Sequence, residues 1–406
     1  MDPRAVRVLA DDLTGACDIA AALLPWNGSV VVETYAGGEP PADAALWVRN
    51  TQSRTLAVED ARHAVRQALV GAAVEQGVVL KKIDTALRGH LGAELDAAIE
   101  AVGADEGFVL PAIPAVGRTT VGGVQLFDGV PVHGTAFAAD PLHPISESEV
   151  AAHVERSSAR RCRPLLLEDV RSPARLAAAI ERGRREGCTA FVCDAASDED
   201  LARALDVLLD RPRPAVLAGS LGLGCALRRR LDVPAGASAP SPSRRSTGGT
   251  LVVVGSMHPS ARRQSEAVAL PGAVHELSGR EDAERTGSRA AATLARGAVA
   301  VLRTPAEIGP GEGARLLDAI ARAVVSCVGG CRPGAVALVG GETAHAVLRA
   351  LGQPGIRVVE ALEPLVVGGA LVGGALAGTP VVTKGGSSGD ARALARAVAW
   401  MAGAGR

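Results

Sequence analysis

Residues 77–91 read GVVLKKIDTALRGHL. A short apolar run, Gly77 to Leu80, has the length and composition of a buried strand. Lys81, Lys82, Asp84, Thr85 and Arg88 follow at once, and a helical pattern opens near Gly92 with Leu95, Ala98 and Ile99 on one face. Polar groups at the C-terminal end of a strand mark the place where open α/β sheets hold ligands. Of 43 Lys+Arg in the chain only Lys81, Lys82 and Lys384 are lysine. Where a surface cation suffices this sequence uses arginine, so the lysines are candidates for tasks that need a compact ammonium.

The same strand-then-polar-turn pattern recurs on both sides of this stretch. Val6 to Ala10 runs into Asp11-Asp12-Leu13-Thr14-Gly15, where adjacent carboxylates repel unless a cation or hydroxyl lies between them. One of them also suits a helix N-cap. Residues 45–49 end in Asn50-Thr51-Gln52-Ser53-Arg54. Beyond a strand near 107–111, the loop Pro111 to Gly123 carries Arg118 followed by two threonines, an arrangement suited to an anion. A hairpin is expected over 124–132, with Asp128-Gly129 at its turn. His143, between two prolines, reads as structural. Strand and helix then alternate through residue 230.

Residues 234–249, PAGASAPSPSRRSTGG, have linker composition. We place the domain boundary there: 1–233, the linker 234–249, and 250–406. The second half restarts with a strand at 251–254 and Gly255-Ser256-Met257-His258-Pro259. The strand 335–339 opens into Gly340-Gly341-Glu342-Thr343, and Pro380 to Thr383 opens into Lys384-Gly385-Gly386-Ser387-Ser388. Neither turn has the G-x-x-x-x-G-K-[ST] spacing of a Walker A loop. Between them, VGGALVGGALAG at 367–378 is expected to be helix-like and too glycine-rich to span a membrane.

Bulk properties bound the function. A chain of 406 residues implies two domains. A net charge of −1 and 2% aromatic residues exclude a nucleic-acid surface, which needs basic patches or stacking platforms. Seven scattered cysteines lack metal-ligand spacing and fit a reducing, cytoplasmic setting. No apolar signal core follows the first residues. The expected fold class is therefore α/β, with two Rossmann-like domains of mainly parallel sheet facing across a cleft. One half carries carboxylates, hydroxyls and arginines, and the other carries turns of Gly, Ser and Thr with a lone lysine. That division suggests phosphoryl transfer, which runs on positioning and charge neutralisation.

The runs VLADDLTGACDIA, NTQSR, KKIDTALRGHLGAELDA, PAIPAVGRTTVGGV, DPLHPISES, GSMHPSARRQ, VGGETA and TKGG resemble, in order, the four-carbon acid sugar kinase family. The resemblance spans nearly the whole chain. It implies an N-terminal domain for a sugar acid such as threonate, erythronate or 3-oxo-tetronate, and a C-terminal domain for ATP with Mg2+. It implies an acid side formed by Asp12, Arg54, Asp84 and Arg88, beside which the turns read above place Asp11, Lys82 and Arg118 as further substrate contacts. Arg54 and Arg88 would meet the substrate carboxylate, and Asp84 or Asp12 would take the hydroxyl proton. It implies a nucleotide side formed by Ser256, Gly340, Gly341, Glu342, Thr343, Lys384, Gly385 and Gly386, with Lys384 on the phosphates. No protein-only metal site is implied, and a homodimer is one allowed assembly. Thr85-Ala86 stands where the family has Ser-Thr, His90 where it has Asn, His258 where it has Ser, and Ser388 where it has Phe. These departures leave two alternatives in view: a kinase of a different or larger hydroxy acid, and a non-catalytic sugar-acid binder.

Overall fold

The computed structural model describes residues 6–24, 29–35, 41–70, 77–140, 143–211, 214–231, 248–279, 282–306, 309, 311–353 and 355–403. The chain forms two compact units, and they are not its two contiguous halves. The first comprises Met1–Asp11, Pro25–Asn27 and Ala45–Gly236; the second comprises Asp12–Leu24, Gly28–Ala44 and Ala237–Arg406. The later junction falls inside the expected linker, most of which (234–247) lies outside the described residues. The earlier exchange, which gives residues 12–24 and 28–44 to the second unit, has no mark in composition.

In the first unit the described strands line up in the order Ala44–Asn50, Val6–Ala10, Val78–Lys82, Ala215–Gly219, Glu106–Leu110, Cys188–Cys193 and Arg161–Leu165. Every neighbouring pair is parallel. Val78–Lys82 and Glu106–Leu110 are buried at every position. A parallel sheet is covered on both faces, so its strands read as unbroken apolar runs. The Leu91–Val102 helix packs Leu95, Ala98 and Ile99 into the core, as the sequence pattern implies, and Gly103 closes it at φ 67°. A small antiparallel sheet, Arg118–Val121, Val124–Phe127 and Val130–Pro131, sits apart from the main one and includes the expected hairpin.

In the second unit Val274–Glu276, Ala300–Arg303, Thr250–Val254, Ala335–Val339 and Pro380–Lys384 are parallel in that order. Val366–Val372, Gly355–Glu363 and Ser29–Glu33 continue the sheet antiparallel. The expected helix-like reading of 367–378 is corrected here, because Val366–Val372 is a strand. Its glycines permit close packing. A Cβ on Gly368 would come within 2.6 Å of the Trp400 ring, and one on Gly369 within 2.4 Å of the Arg357 carbonyl. The Leu13–Ala22 helix belongs to this unit, and nine of its ten residues are buried. Among the described residues no helix is long and apolar enough to cross a membrane.

Candidate functional site

The strand-end turns of each unit gather the residues singled out in the sequence. In the first unit Val6–Ala10 and Val78–Lys82 are neighbours, so Asp11 and the loop 83–90 leave the sheet side by side. Arg54 clamps Asp11 with two hydrogen bonds, Nε to Oδ2 at 2.9 Å and Nη2 to Oδ1 at 3.1 Å. Gly89 has φ 92°, and a Cβ there would approach Asp11 Oδ2 to 3.3 Å, so glycine lets the loop pass over this pair. Burial alone would raise the Asp11 carboxyl, but the charges of Arg54 and Lys81 outweigh it and hold the group below its ordinary range.

Asp84 is bound by Arg88 in the same fashion, Nε to Oδ2 at 2.7 Å and Nη2 to Oδ1 at 3.3 Å. Arg88 Nη1 also reaches Asp140 Oδ2 at 3.2 Å. Burial opposes ionisation of Asp84, yet Arg88 and Arg54 depress it far below the carboxylate range. Both arginines expected to meet the substrate carboxylate are therefore already paired with protein carboxylates. Lys82 is different. It is buried, its ammonium donates to the Ile83 carbonyl at 2.9 Å, and it forms no ion pair among the described residues. Arg118 donates from Nη1 to Thr85 Oγ1 at 2.6 Å. His90, at the N-terminus of the Leu91–Val102 helix, places Nε2 2.7 Å from the Leu56 carbonyl oxygen.

Lys81 acts on Asp11 through its charge, but its ion pair lies elsewhere. It is fully buried against Glu94, 3.0 Å away, and Glu94 is also bonded to Ser53. The Lys81 ammonium also donates to the Lys82 carbonyl at 3.0 Å. Glu94, which the sequence reading passed over, carries one signal that could have found it: a carboxylate amid apolar residues on the buried face of a helix.

The second unit builds its turns on three adjacent parallel strands, Thr250–Val254, Ala335–Val339 and Pro380–Lys384. Their C-terminal ends carry Gly255 to His258, Gly340 to Thr343 and Lys384 to Ser388. Gly340 has φ 106°, which only glycine adopts readily, and the helix Gly341–Ala350 starts there. A Cβ on Gly255 would fall 2.1 Å from Thr343 Oγ1, and one on Gly386 would fall 1.8 Å from Ser256 Oγ. The three turns are thus in mutual contact at a distance no larger residue permits. Gln264 ties down the last of them, donating to the Asp390 carbonyl at 2.7 Å. Exposed backbone N–H groups at strand-to-helix turns of this kind suit phosphate oxygens.

Lys384 is buried and donates to the Gly385 carbonyl at 2.7 Å. Burial lowers its pKa to about 8, which Glu363 offsets only in part. His258 caps the Pro259–Val268 helix through Nδ1, and burial together with Lys384 pushes its ring below the ordinary histidine value. Asp12, placed on the acid side by the resemblance, belongs to this unit. It caps the Leu13–Ala22 helix, accepting from Gly15 N at 3.0 Å and Thr14 Oγ1 at 2.6 Å. A Cβ on Gly341 would meet Asp12 Oδ2 at 2.6 Å, so this carboxylate lies against the second of the three turns.

A family model described as a sugar-binding N-terminal domain matches residues 6–227, and one described as a nucleotide-binding C-terminal domain matches 251–394. The chain is 36% identical over 417 residues to a D-threonate kinase of Bordetella bronchiseptica, covering 97% of this chain and 96% of that one. It is 30% identical over 425 residues to a D-threonate kinase of Salmonella typhimurium, with 97% of each covered. It is 29% identical over 441 residues to a D-erythronate kinase of Heliobacterium modesticaldum, covering 98% and 97%. A crystal structure from Salmonella typhimurium LT2 shares the fold with a TM-score of 0.77 at 22% identity, over 97% of this chain and 98% of that one. By these matches, the chain belongs to the four-carbon acid sugar kinase family.

Proposed function

We propose that the chain transfers the γ-phosphoryl group of ATP to a hydroxyl of a small sugar acid, a four-carbon acid such as threonate or erythronate. The observation that carries this reading is the second unit's set of three abutting glycine turns with Lys384 buried among them. Backbone N–H groups from these turns would hold the triphosphate, and Lys384 would neutralise the β- and γ-phosphates. Ser256, Gly340, Gly341, Thr343, Gly385 and Gly386 supply the close backbone approach. Asp12 and Glu342 are the carboxylates that would hold Mg2+, an ion that takes one or two carboxylates and fills its other positions with phosphate and water. When bound, Mg2+ adds neutralisation of the phosphate charge.

On the acid side, Lys82 is the cation with capacity to spare, and we assign the substrate carboxylate to it. Asp11 and Arg54, like Asp84 and Arg88, act as fixed pairs around it. A carboxylate held as far below its range as Asp84 is a weak base. Its role is therefore to accept a hydrogen bond from the acceptor hydroxyl and aim it, and a loose phosphoryl-transfer transition state asks little more. Arg118, through Thr85, borders the same loop.

The test is ADP release by the purified chain with ATP and a panel of hydroxy acids of three to six carbons, beside calorimetry for each acid. We expect release with D-threonate or D-erythronate. Release only with longer acids would move the substrate class. Tight acid binding with no release from any acid would replace the kinase reading by a binding one.

A further inference from the structure

Aromatic residues make up only 2% of this chain, and it has four phenylalanines. Phe108 and Phe191 stack in the core of the first unit, 5.3 Å between centroids. The other two are spent differently. Phe127 and Phe137 meet edge to face at 5.2 Å, and each carries an arginine on its ring. Arg118 lies 4.7 Å above Phe127, and Arg88 lies 5.2 Å above Phe137. The four side chains form one row, and both of its ends lead to the 83–90 loop: Arg118 bonds Thr85, and Arg88 belongs to the loop itself.

That loop cannot hold its shape by backbone preference. Leu87 stands at φ 65°, a region that a branched side chain rarely occupies, and Gly89 follows at φ 92°. Strain of this sort persists only where the surroundings fix it from several directions. The segment 118–140 supplies the fixtures, namely the bond from Arg118 to Thr85, the bond from Arg88 to Asp140 and the two rings. A purely space-filling role at 127 and 137 would be met by leucine, which with valine and alanine makes up most of this chain's core. What leucine lacks is a π face for a guanidinium.

We propose that Phe127 and Phe137 are positioning residues for phosphoryl transfer, holding Arg118 and Arg88 by their ring faces so that the 83–90 loop presents Asp84 to the acid. This rests on the sugar-acid kinase reading above. The experiment compares F137L and F137Y, with F127L and F127Y alongside, in ATP-dependent turnover of D-threonate and D-erythronate. Leucine keeps the side chain apolar at a smaller volume and removes the π face, whereas tyrosine keeps the ring. We expect F137L to raise the KM for the acid about three- to tenfold and to leave the KM for ATP unchanged. F137Y should restore the acid KM, while the two variants melt at the same temperature. Equal acid KM values for the leucine and tyrosine variants, or a matching rise in the ATP KM, would overturn the proposal. Wild-type protein that neither phosphorylates nor binds any acid of the panel overturns the kinase reading, and the positioning role falls with it.

Discussion

In the first unit Asp11, Arg54, Asp84, Arg88 and Asp140 are matched in ion pairs. In the second, Lys384 stands among glycines, serines and Thr343 and meets no carboxylate at ion-pair distance among the described residues. The two regions solve different problems. Paired charges pin their partners' protonation and geometry, so the loop around them keeps a fixed shape over a wide pH range. Burial lowers the pKa of the Lys384 ammonium to about 8, Glu363 offsets it only in part, and an arriving polyanion would complete the neutralisation. Lys81 and Lys82 differ within two residues: one is ion-paired with Glu94, and the other donates to the Ile83 carbonyl with no ion pair among the described residues.

The largest effect should come from turning a paired charge into an unpaired one. Lys81→Met leaves the Glu94 carboxylate buried without its cation, and we expect a loss of about 3–5 kcal/mol in urea unfolding. Catalysis per folded molecule should hold; a loss of turnover in folded K81M would place Lys81 in the site. Next comes Lys384→Met, expected to lower kcat/KM for ATP about 100- to 1000-fold while calorimetric acid affinity stays level. A parallel drop in acid affinity would erase the contrast between the units. Gly386→Ala should raise the KM for ATP about tenfold, because the new methyl displaces Ser256 from the neighbouring turn. Unchanged nucleotide kinetics in G386A would detach that contact from phosphate binding.

The smallest effect is graded and reads the charge directly. Lys384 is cationic below its pKa of about 8 and loses its proton as pH rises through that value, so kcat/KM for ATP should fall toward alkaline pH. The limiting slope is about tenfold per pH unit. Acid affinity should stay flat across the same interval, since Asp11 and Asp84 remain ionised well below it. An alkaline limb in acid binding instead would detach the pH dependence from Lys384.

Much of this was legible from residue order. Buried parallel strands announce themselves as unbroken apolar runs, and the polar turns at their ends stood out for that reason. The scarcity of lysine drew attention to Lys384, which the fold buries at a strand end beside the glycine turns. What the same scarcity could not show at Lys81 is its ion pair with Glu94, because composition names no partner. The strand Val366–Val372 was hidden by small residues whose spacing imitates a helix, and the Trp400 ring and the Arg357 carbonyl explain its glycines. The division of Asp11 from Asp12 had no local signal either. It follows from what the Leu13–Ala22 helix packs against, hundreds of residues further along.

That division has a consequence for how the protein is made. Val30, Val31 and Val32 are buried beside Gly355–Glu363, a strand the ribosome has yet to synthesise when they emerge. At about 5–20 residues per second, they wait on the order of tens of seconds for that partner. A piece of the gene starting at residue 250 would also lack the helix and strand that complete its own unit, so cutting the chain at its apparent linker should yield sticky fragments. Nascent chains of this family member are therefore expected clients of holding chaperones, and engineered truncations should keep residues 12–44.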